Sequence, residues 1–441
     1  MALFYSDKFA KKATKSTARH QFHIQGLDYQ GYGIAKLNGK TWFVENALPD
    51  EVAEARVSEE KRQYGKAQAV KILQKSTNRQ QPSCPLYQQC GGCQMQHIAL
   101  DLQRSAKQQA LVQRLQKLQS SPITISPMIT GEPSHYRRRA KLHLHWQNNQ
   151  LALGFRQAQS QQIINVTACE VLEPELCALL PKLHQLLNRW KGKKQLGHIE
   201  LVKADNGVAL LLRHIGEVLA QDRHNLLEFA EAENLMLFVM LDKEQIEQWR
   251  GEQPYYQLNG LKLYFSIRDF IQVNAKLNEK MVEKALEWLE LTSQDRILDL
   301  FCGMGNFTLP IAQYAQAVVG IEGVMPMVEQ AKFNAKYNQL KNVMFYQTDL
   351  DQPFIDKAWA KEKFNKVLLD PARNGAYFAL DHLCQLEPER IVYVSCNPAT
   401  LVRDAEKLIA EGYQLQQCAM IDMFPHTGHL ESISLFIKKP N

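Results

Sequence analysis

Near the C-terminal end of the chain an apolar run, Ile391-Val392-Tyr393-Val394, stops abruptly at Ser395-Cys396-Asn397-Pro398. The run reads as a buried strand, and proline ends it because it has no N–H to give the ladder. A thiol, Cys396, is thereby placed at the C-terminal end of a strand, where open α/β sheets bind their ligands. Two carboxylates are expected at the same edge. Lys366-Val367-Leu368-Leu369 is a strand followed by Asp370-Pro371. The stretches 415–424 and 432–437 read as a closing hairpin whose last strand runs antiparallel. It therefore begins where the parallel strands end, and brings Glu431 beside Asp370 and Cys396. A lone cysteine is as readily a small buried hydrophobe as a nucleophile. A cysteine converging with two carboxylates at a ligand-binding edge has a chemical use.

A cofactor turn belongs to the same stretch. The strand Arg296-Ile297-Leu298-Asp299-Leu300 runs into Phe301-Cys302-Gly303-Met304-Gly305-Asn306-Phe307, a glycine turn opening a helix. The next strand, Ala317-Val318-Val319-Gly320-Ile321-Glu322, ends in an acid about twenty residues on, placed to accept both ribose hydroxyls of an adenosine-bearing cofactor. The third glycine of the dinucleotide fingerprint is missing, and without a pyrophosphate to cradle it is not needed. That favours S-adenosylmethionine over NAD. A third strand, Val343-Met344-Phe345-Tyr346, leads to Asp349. The whole is a strand–helix alternation, hence a doubly wound sheet.

A thiol and a carboxylate beside a methyl sulphonium have a specific use. Carbon 5 of uracil is too weak a nucleophile to attack it. A thiolate adding to carbon 6 makes carbon 5 enolate-like, the methyl group transfers, a base removes the carbon 5 proton, and the thiol is eliminated. Cys396 suits the nucleophile and Glu431 the base. Asp370 suits a contact to the uracil edge or to the cofactor. An N- or O-methyltransferase needs no such cysteine.

The rest of the chain must position this chemistry and bring the substrate. At 441 residues, 45% of them hydrophobic, it has room for about three domains. No apolar run reaches membrane-spanning length and Met1 to Ser16 has no signal-peptide core, so a cytoplasmic protein with no membrane partner is expected, and a monomer. Nine cysteines in a reducing compartment are not a disulfide framework. The net charge of +6 is mild, but the basic residues cluster. Lys8, Lys11, Lys12, Lys15 and Arg19 form a mobile basic arm or a solvated tail. From His20 to Lys75, five short alternating segments punctuated by glycines predict a small OB-like barrel. Its stretch Gly31-Tyr32-Gly33-Ile34-Ala35 … Val44-Glu45-Asn46-Ala47-Leu48-Pro49-Asp50-Glu51 resembles a TRAM domain, an RNA-binding barrel.

Next come Cys84, Cys90 and Cys93, spaced C-x5-C-x2-C around Gly91-Gly92, a pattern for metal or cluster ligation. A fourth thiolate is needed; Cys169 lies on a polar-flanked turn, whereas Cys177 falls in a helical pattern and packs. Only one CxxC knuckle is present, which fits an iron–sulphur cluster better than a zinc ribbon. A polar helix is predicted over 96–118. After it, His135-Tyr136-Arg137-Arg138-Arg139-Ala140-Lys141 puts Arg137, Arg139 and Lys141 on one face of an alternating strand, a phosphate-binding signature or a solvated face. A strand pair is expected at 208–213 and 234–240. In Asp269-Phe270-Ile271-Gln272-Val273-Asn274, alternation puts Phe270, Gln272 and Asn274 on one side, ahead of a helix at 275–290. Phe270 there is core or contact.

Phe-Cys-Gly-x-Gly-Asn-Phe, Asp370-Pro-x-Arg373, Ser395-Cys396-Asn397-Pro398 and His429-x-Glu431 together resemble the RNA uracil-5-methyltransferase family, over nearly the whole chain. The resemblance implies a multidomain α/β protein: an OB-like TRAM barrel at 14–75, a central α+β domain with an iron–sulphur loop at 76–272, and a Rossmann-like S-adenosylmethionine-dependent methyltransferase domain at 273–441. Members with both barrel and cysteine cluster imply 23S ribosomal RNA as the partner. By the same resemblance Cys84, Cys90, Cys93 and Cys169 hold a [4Fe-4S] cluster. Gln272, Phe301, Asn306, Glu322, Asp349 and Asp370 contact S-adenosylmethionine, Cys396 is the nucleophile and Glu431 the base. Arg137, Arg139, Lys141 and Phe270 are the expected RNA contacts. Two other readings stay open: the same chemistry on another rRNA or tRNA uridine, and a non-catalytic iron–sulphur RNA-binding sensor.

Overall fold

The computed structural model describes residues 18–147, 150–241 and 245–440. They fall into two units. One comprises the described residues up to Pro85 with Cys93–Ala110 and His426–Gly428; the other comprises Leu86–Gly92, Leu111–Pro425 and the described residues from His429 on. Lys8, Lys11, Lys12 and Lys15 lie outside the described residues.

The first unit is built on five strands: β1 (Arg19–Leu27), β2 (Gly33–Leu37), β3 (Lys40–Glu45), β4 (Val52–Glu60) and β5 (Tyr64–Gln74). They close in the order β1-β2-β3-β5-β4, with β4 returning to β1. Strands β3 and β5 run parallel and the other neighbours antiparallel. This is the expected OB-like barrel. Alternate residues point inward, and Phe22, Ile24, Trp42, Val44 and Val57 fill the interior. Gly65 is required, since a Cβ there would lie 2.4 Å from the Trp42 ring. Glu51, 1% exposed, anchors the chain that leaves the barrel. It accepts hydrogen bonds from the Leu48 N–H at 2.8 Å, the Ser76 N–H at 3.3 Å and Arg79 Nε at 2.6 Å. Burial works against its charge, and these donors still hold its carboxyl below the ordinary range.

The helix expected over 96–118 is shorter, α1 (Leu100–Leu115). The preceding residues spend their main chain elsewhere: Ile98 N–H bonds Met95 C=O, Ala99 N–H bonds Asn78 C=O, and Gln103 Nε2 donates to Met95 C=O and Ile98 C=O.

In the second unit, β6 (Thr124–Ile125) precedes a seven-stranded sheet made of β7 (Arg139–Gln147), β8 (Gln150–Arg156), β9 (Ile163–Asn165), β10 (Leu196–Ala204), β11 (Gly207–His214), β12 (Leu235–Met240) and β13 (Ile246–Arg250), in the order β13-β12-β11-β10-β7-β8-β9. The expected strand pair is β11 and β12, which run parallel. The helices α2 (Pro174–Asn188) and α3 (Ala220–Ala232) pack on this sheet; Leu176, Leu180, Leu183 and Leu226 enter its core. A small hairpin follows, β14 (Tyr255–Leu258) with β15 (Leu261–Tyr264).

Helix α4 (Ala275–Leu289) is capped by Asn274, whose side chain accepts the Leu277 N–H at 3.2 Å. It leads into β16 (Arg296–Leu300), α5 (Thr308–Ala312), β17 (Ala317–Glu322), α6 (Met325–Tyr337), β18 (Val343–Gln347), β19 (Lys366–Leu369), α7 (Tyr377–Leu383), β20 (Arg390–Ser395), α8 (Pro398–Ala410), β21 (Tyr413–Ile421) and β22 (Glu431–Lys438). The sheet order is β18-β17-β16-β19-β20-β22-β21-β6. Strands β16 to β20 are mutually parallel. Strand β22 runs antiparallel between β20 and β21, as expected of the closing hairpin. The middles of the parallel strands are mostly apolar, as expected of a sheet with helices on both faces, and Asp299 on β16 is the buried exception. No described helix is long and apolar enough to cross a membrane.

Candidate active site

The antiparallel register decides where the chemistry sits. Ser395 of β20 faces Ser432 of β22. Cys396 follows the first and Glu431 precedes the second, so thiol and carboxylate leave the sheet at one edge. Ser395 Oγ and the Asn397 main chain bond each other, at 3.1 and 3.2 Å, and Asn397 caps α8 through the Ala399 N–H at 3.0 Å. Cys396 is thus fixed on a two-sided turn, half-buried. Asp370 enters from the end of β19. Its following loop turns at Gly375, φ +75°, and is pinned by buried Asp404, which accepts the Ala376 N–H at 2.6 Å and the Tyr393 hydroxyl at 2.7 Å. The loop presents Arg373, whose carbonyl accepts Asn397 Nδ2 at 3.1 Å and whose Nη2 lies 3.4 Å from His429 Nδ1.

The three groups act on one another electrostatically. Burial, then Glu431 and Asp370, push the Cys396 thiol up to about 12, while Arg373 pulls it down. Glu431, 4% exposed, is pushed up to about 8 by burial and then by Asp370, again opposed by Arg373. Burial raises Asp370 to about 7. A carboxyl that holds its proton near neutrality is suited to proton transfer.

The glycine turn lies beside this edge. Phe301 leaves β16 at φ +65°, a left-handed conformation that is uncommon for a bulky residue and is held here by the turn. Gly305 has φ +99°, and a Cβ there would come within 2.9 Å of Leu309. Glu322 closes the turn: its carboxylate accepts the Gly303 N–H at 3.1 Å and the Val324 N–H at 2.9 Å. Asn306 is buttressed from behind. Its Oδ1 accepts the Tyr256 hydroxyl and Asn278 Nδ2, both at 2.9 Å, and its Nδ2 donates to Asn278 Oδ1 at 3.0 Å. Asp349, exposed, follows β18.

The segment 269–274 is not one-sided. Phe270 is 68% exposed, whereas Gln272 and Asn274 are buried. Phe270 is therefore not core, and Asn274 is the helix cap. The basic strand starts only at Arg139. Arg139 Nη2 donates to Glu200 Oε2 and Ile267 C=O, each at 2.8 Å, and its Nη1 to the Asp269 carbonyl. It holds the protein together rather than facing solvent. Lys141, 49% exposed, lies 3.6 Å from the same Glu200. Burial opposes the Glu200 charge, but His198 and Arg139 hold its carboxyl down to about 2. Arg137 precedes the strand, with Nε on the Arg139 carbonyl at 3.0 Å.

Among the cysteines, Cys84, Cys90, Cys93 and Cys169 are all half-buried. No group of three or more His, Cys, Asp or Glu able to hold a metal is found among the described residues. What the loop does offer is donor chemistry. The Gly92 N–H points at Cys90 Sγ at 3.4 Å, and a Cβ at Gly92 would sit at 3.4 Å from that sulphur. Cys177 is half-buried on α2, and its sulphur accepts the Cys169 N–H at 3.3 Å.

The sequence did not single out Asp299, Tyr256, Asn278 or the role of Arg373. Asp299 is fully buried on β16, accepts the Thr308 hydroxyl at 2.5 Å, and is pushed up to about 8 by burial, with Asp370 and Glu322 adding to it. An acid inside an otherwise apolar strand was its available signal. Tyr256 and Asn278 carried none, since their partner is distant in sequence.

Comparison with known proteins adds the following. The model of the tRNA (Uracil-5-)-methyltransferase family matches residues 99–439, and that of the TRAM domain residues 23–70. The chain is 63% identical over 442 residues to the 23S rRNA (uracil(1939)-C(5))-methyltransferase RlmD of Haemophilus ducreyi, covering 99% of this chain and 100% of that one. It is 48% identical over 441 residues to the protein of the same name from Vibrio cholerae, covering 100% of both. Among solved structures, the Pyrococcus abyssi tRNA (uracil-54, C5)-methyltransferase in complex with S-adenosyl-L-homocysteine superposes with a TM-score of 0.74 at 22% identity, covering 95% of this chain and 99% of that one. That likeness shows the fold.

Proposed function

The chain belongs to the tRNA (Uracil-5-)-methyltransferase family, and from that premise we propose that it methylates carbon 5 of uridine 1939 in 23S rRNA, the target in the names of its relatives. The supporting observation is the convergence of Cys396, Glu431 and Asp370 at one sheet edge beside the glycine turn. S-adenosylmethionine, held by Gln272, Phe301, Asn306, Glu322, Asp349 and Asp370, supplies an electrophilic methyl group. Cys396 adds to carbon 6 of the uracil and makes carbon 5 nucleophilic. Arg373 is the cation that favours the Cys396 thiolate against the two carboxylates. After transfer, Glu431 takes the proton from carbon 5, and expulsion of Cys396 restores the ring. Asp370 remains beside both, the remaining acid of the site.

The parts divide this work as residues 14–75 for RNA affinity, 76–272 for the RNA-facing strand and cluster, and 273–441 for methyl transfer. Arg137, Lys141 and Phe270 face the RNA, and Arg139 anchors the start of the strand that carries Lys141. Cys84, Cys90, Cys93 and Cys169 carry a [4Fe-4S] cluster in this reading, supported by the ligand spacing and the N–H donated to Cys90 Sγ. No catalytic step passes through it. The protein acts as a cytoplasmic monomer. A methyl-labelled cofactor offered with 23S rRNA fragments and with bulk tRNA tests the reading. Label at uridine 1939 alone supports it, label in tRNA replaces the substrate, and label in neither leaves the iron–sulphur RNA-binding sensor.

A further inference from the structure

Arg138 lies in the basic stretch yet is 3% exposed. Its main-chain N–H donates to the Val273 carbonyl and its Nε to the Gln272 carbonyl, both at 2.8 Å. Its guanidinium covers the Tyr256 ring, 4.7 Å from the centroid. Its Nη2 is buried with no hydrogen-bond partner among the described residues. A buried guanidinium with an unpaired nitrogen destabilises a fold, and a core selected for stability alone would replace it. Burial accordingly lowers its pKa, opposed by Tyr256, Asp205, Glu173 and Glu279.

The two things Arg138 touches both lead to the cofactor turn. Through Tyr256 it reaches Asn306, whose Oδ1 accepts the Tyr256 hydroxyl. Through Gln272 and Val273 it fixes the main chain entering the Asn274 cap of α4, and one turn on Asn278 completes the amide pair with Asn306. The contacts close a ring: Arg138, Gln272–Val273, Asn274, Asn278, Asn306, Tyr256.

We propose that Arg138 is a positioning residue for the cofactor site, acting on Gln272 through its carbonyl and on Asn306 through Tyr256. The inference rests on the methyltransferase reading given above. Isothermal titration with S-adenosylhomocysteine tests it, together with the separate KM for S-adenosylmethionine and kcat. Tyr256→Phe keeps the ring under the guanidinium and removes one hydrogen bond. It should weaken S-adenosylhomocysteine about 2- to 13-fold, the range of one net hydrogen bond, and raise KM with kcat unchanged. Arg138→Met should weaken it at least as much, and Arg138→Lys should recover part of the loss. A merely structural role would lower the melting temperature and leave the affinity, measured well below melting, at the wild-type value. Unchanged affinity and KM in Tyr256→Phe overturn the inference alone, whatever the fate of the Arg138 variants. Failure of the wild-type chain to bind S-adenosylhomocysteine overturns the methyltransferase reading and the inference with it.

Discussion

Replacing Glu431 by glutamine should do two opposite things. The folded chain holds the proton on this carboxyl up to about pH 8, against an ordinary value of 4.5. A raised carboxyl favours the folded state fully below 4.5 and loses that favour as pH climbs to about 8. At about 1.4 kcal/mol per pH unit, the loss between pH 4.5 and pH 7 is at most about 3 kcal/mol. Glutamine has the same shape and no charge to bury. Glu431→Gln should therefore be more stable at neutral pH by up to ~3 kcal/mol, with little difference from wild type at pH 4.5. Urea unfolding at both pH values measures this. The same change removes the proton acceptor but neither the nucleophile nor the methyl donor. Addition and methyl transfer should proceed and elimination should stall, leaving RNA bonded to Cys396. On a denaturing gel the adduct is a slow-migrating band labelled from the cofactor methyl. Wild-type turnover without an adduct would transfer the base role to Asp370 or a water. Equal stability of the two proteins at pH 7 would refute the buried-carboxyl reasoning.

Cys396→Ala should give neither adduct nor methylated RNA, so a labelled product from the folded variant removes Cys396 from the mechanism. Because the Glu431 carboxylate is the reactive form and its pKa is about 8, the rate at which the methylated adduct is released from Cys396 should rise about tenfold per pH unit below that value and level above it; a flat profile of that step from pH 6 to 9 contradicts the assignment. Anaerobically purified protein should carry about four irons, as a [4Fe-4S] centre requires, and Cys90→Ser should lose them; one tightly bound zinc and no iron would sink the cluster. Lys141→Ala should reduce the salt dependence of RNA binding by about one phosphate's worth at unchanged stability. Arg139→Ala should instead lower the melting temperature, because it removes the nearest of the cations around Glu200 and the hydrogen bonds to the Ile267 and Asp269 carbonyls; a pure salt-slope effect there would reverse that assignment.

The barrel and the parallel sheet were legible because their signals are local. Alternation within five short segments gave the barrel strands within a few residues, and strand-turn rhythm gave β16 to β20. The Cys396–Glu431 juxtaposition was legible too, since an antiparallel last strand must start where the parallel ones end. Side-chain partnership was not. Arg139 reads as a surface cation until β10 supplies Glu200. Gln272 and Phe270 alternate in sequence, but the chain there is not a strand, so period-two reasoning failed. Helix α1 starts later than expected because glutamine and main-chain contacts at 95–99 compete with the first turn.

The two-residue strand β6 ends the methyltransferase sheet by pairing with β21. Gln119 reinforces it, accepting from the Leu415 N–H at 3.0 Å and donating to the Leu415 carbonyl at 2.9 Å, across 296 positions of sequence. The sheet's outer edge is thus supplied by chain from the 76–272 region, ahead of the seven-stranded sheet. Closing such long loops is entropically slow, so the edge should be among the last parts of the sheet to form. A fragment beginning at residue 273 would lack β6 altogether and leave β21 as a bare strand edge, open to pairing with other chains. A methyltransferase fragment should therefore be soluble when it begins ahead of residue 119 and aggregate when it begins at residue 273.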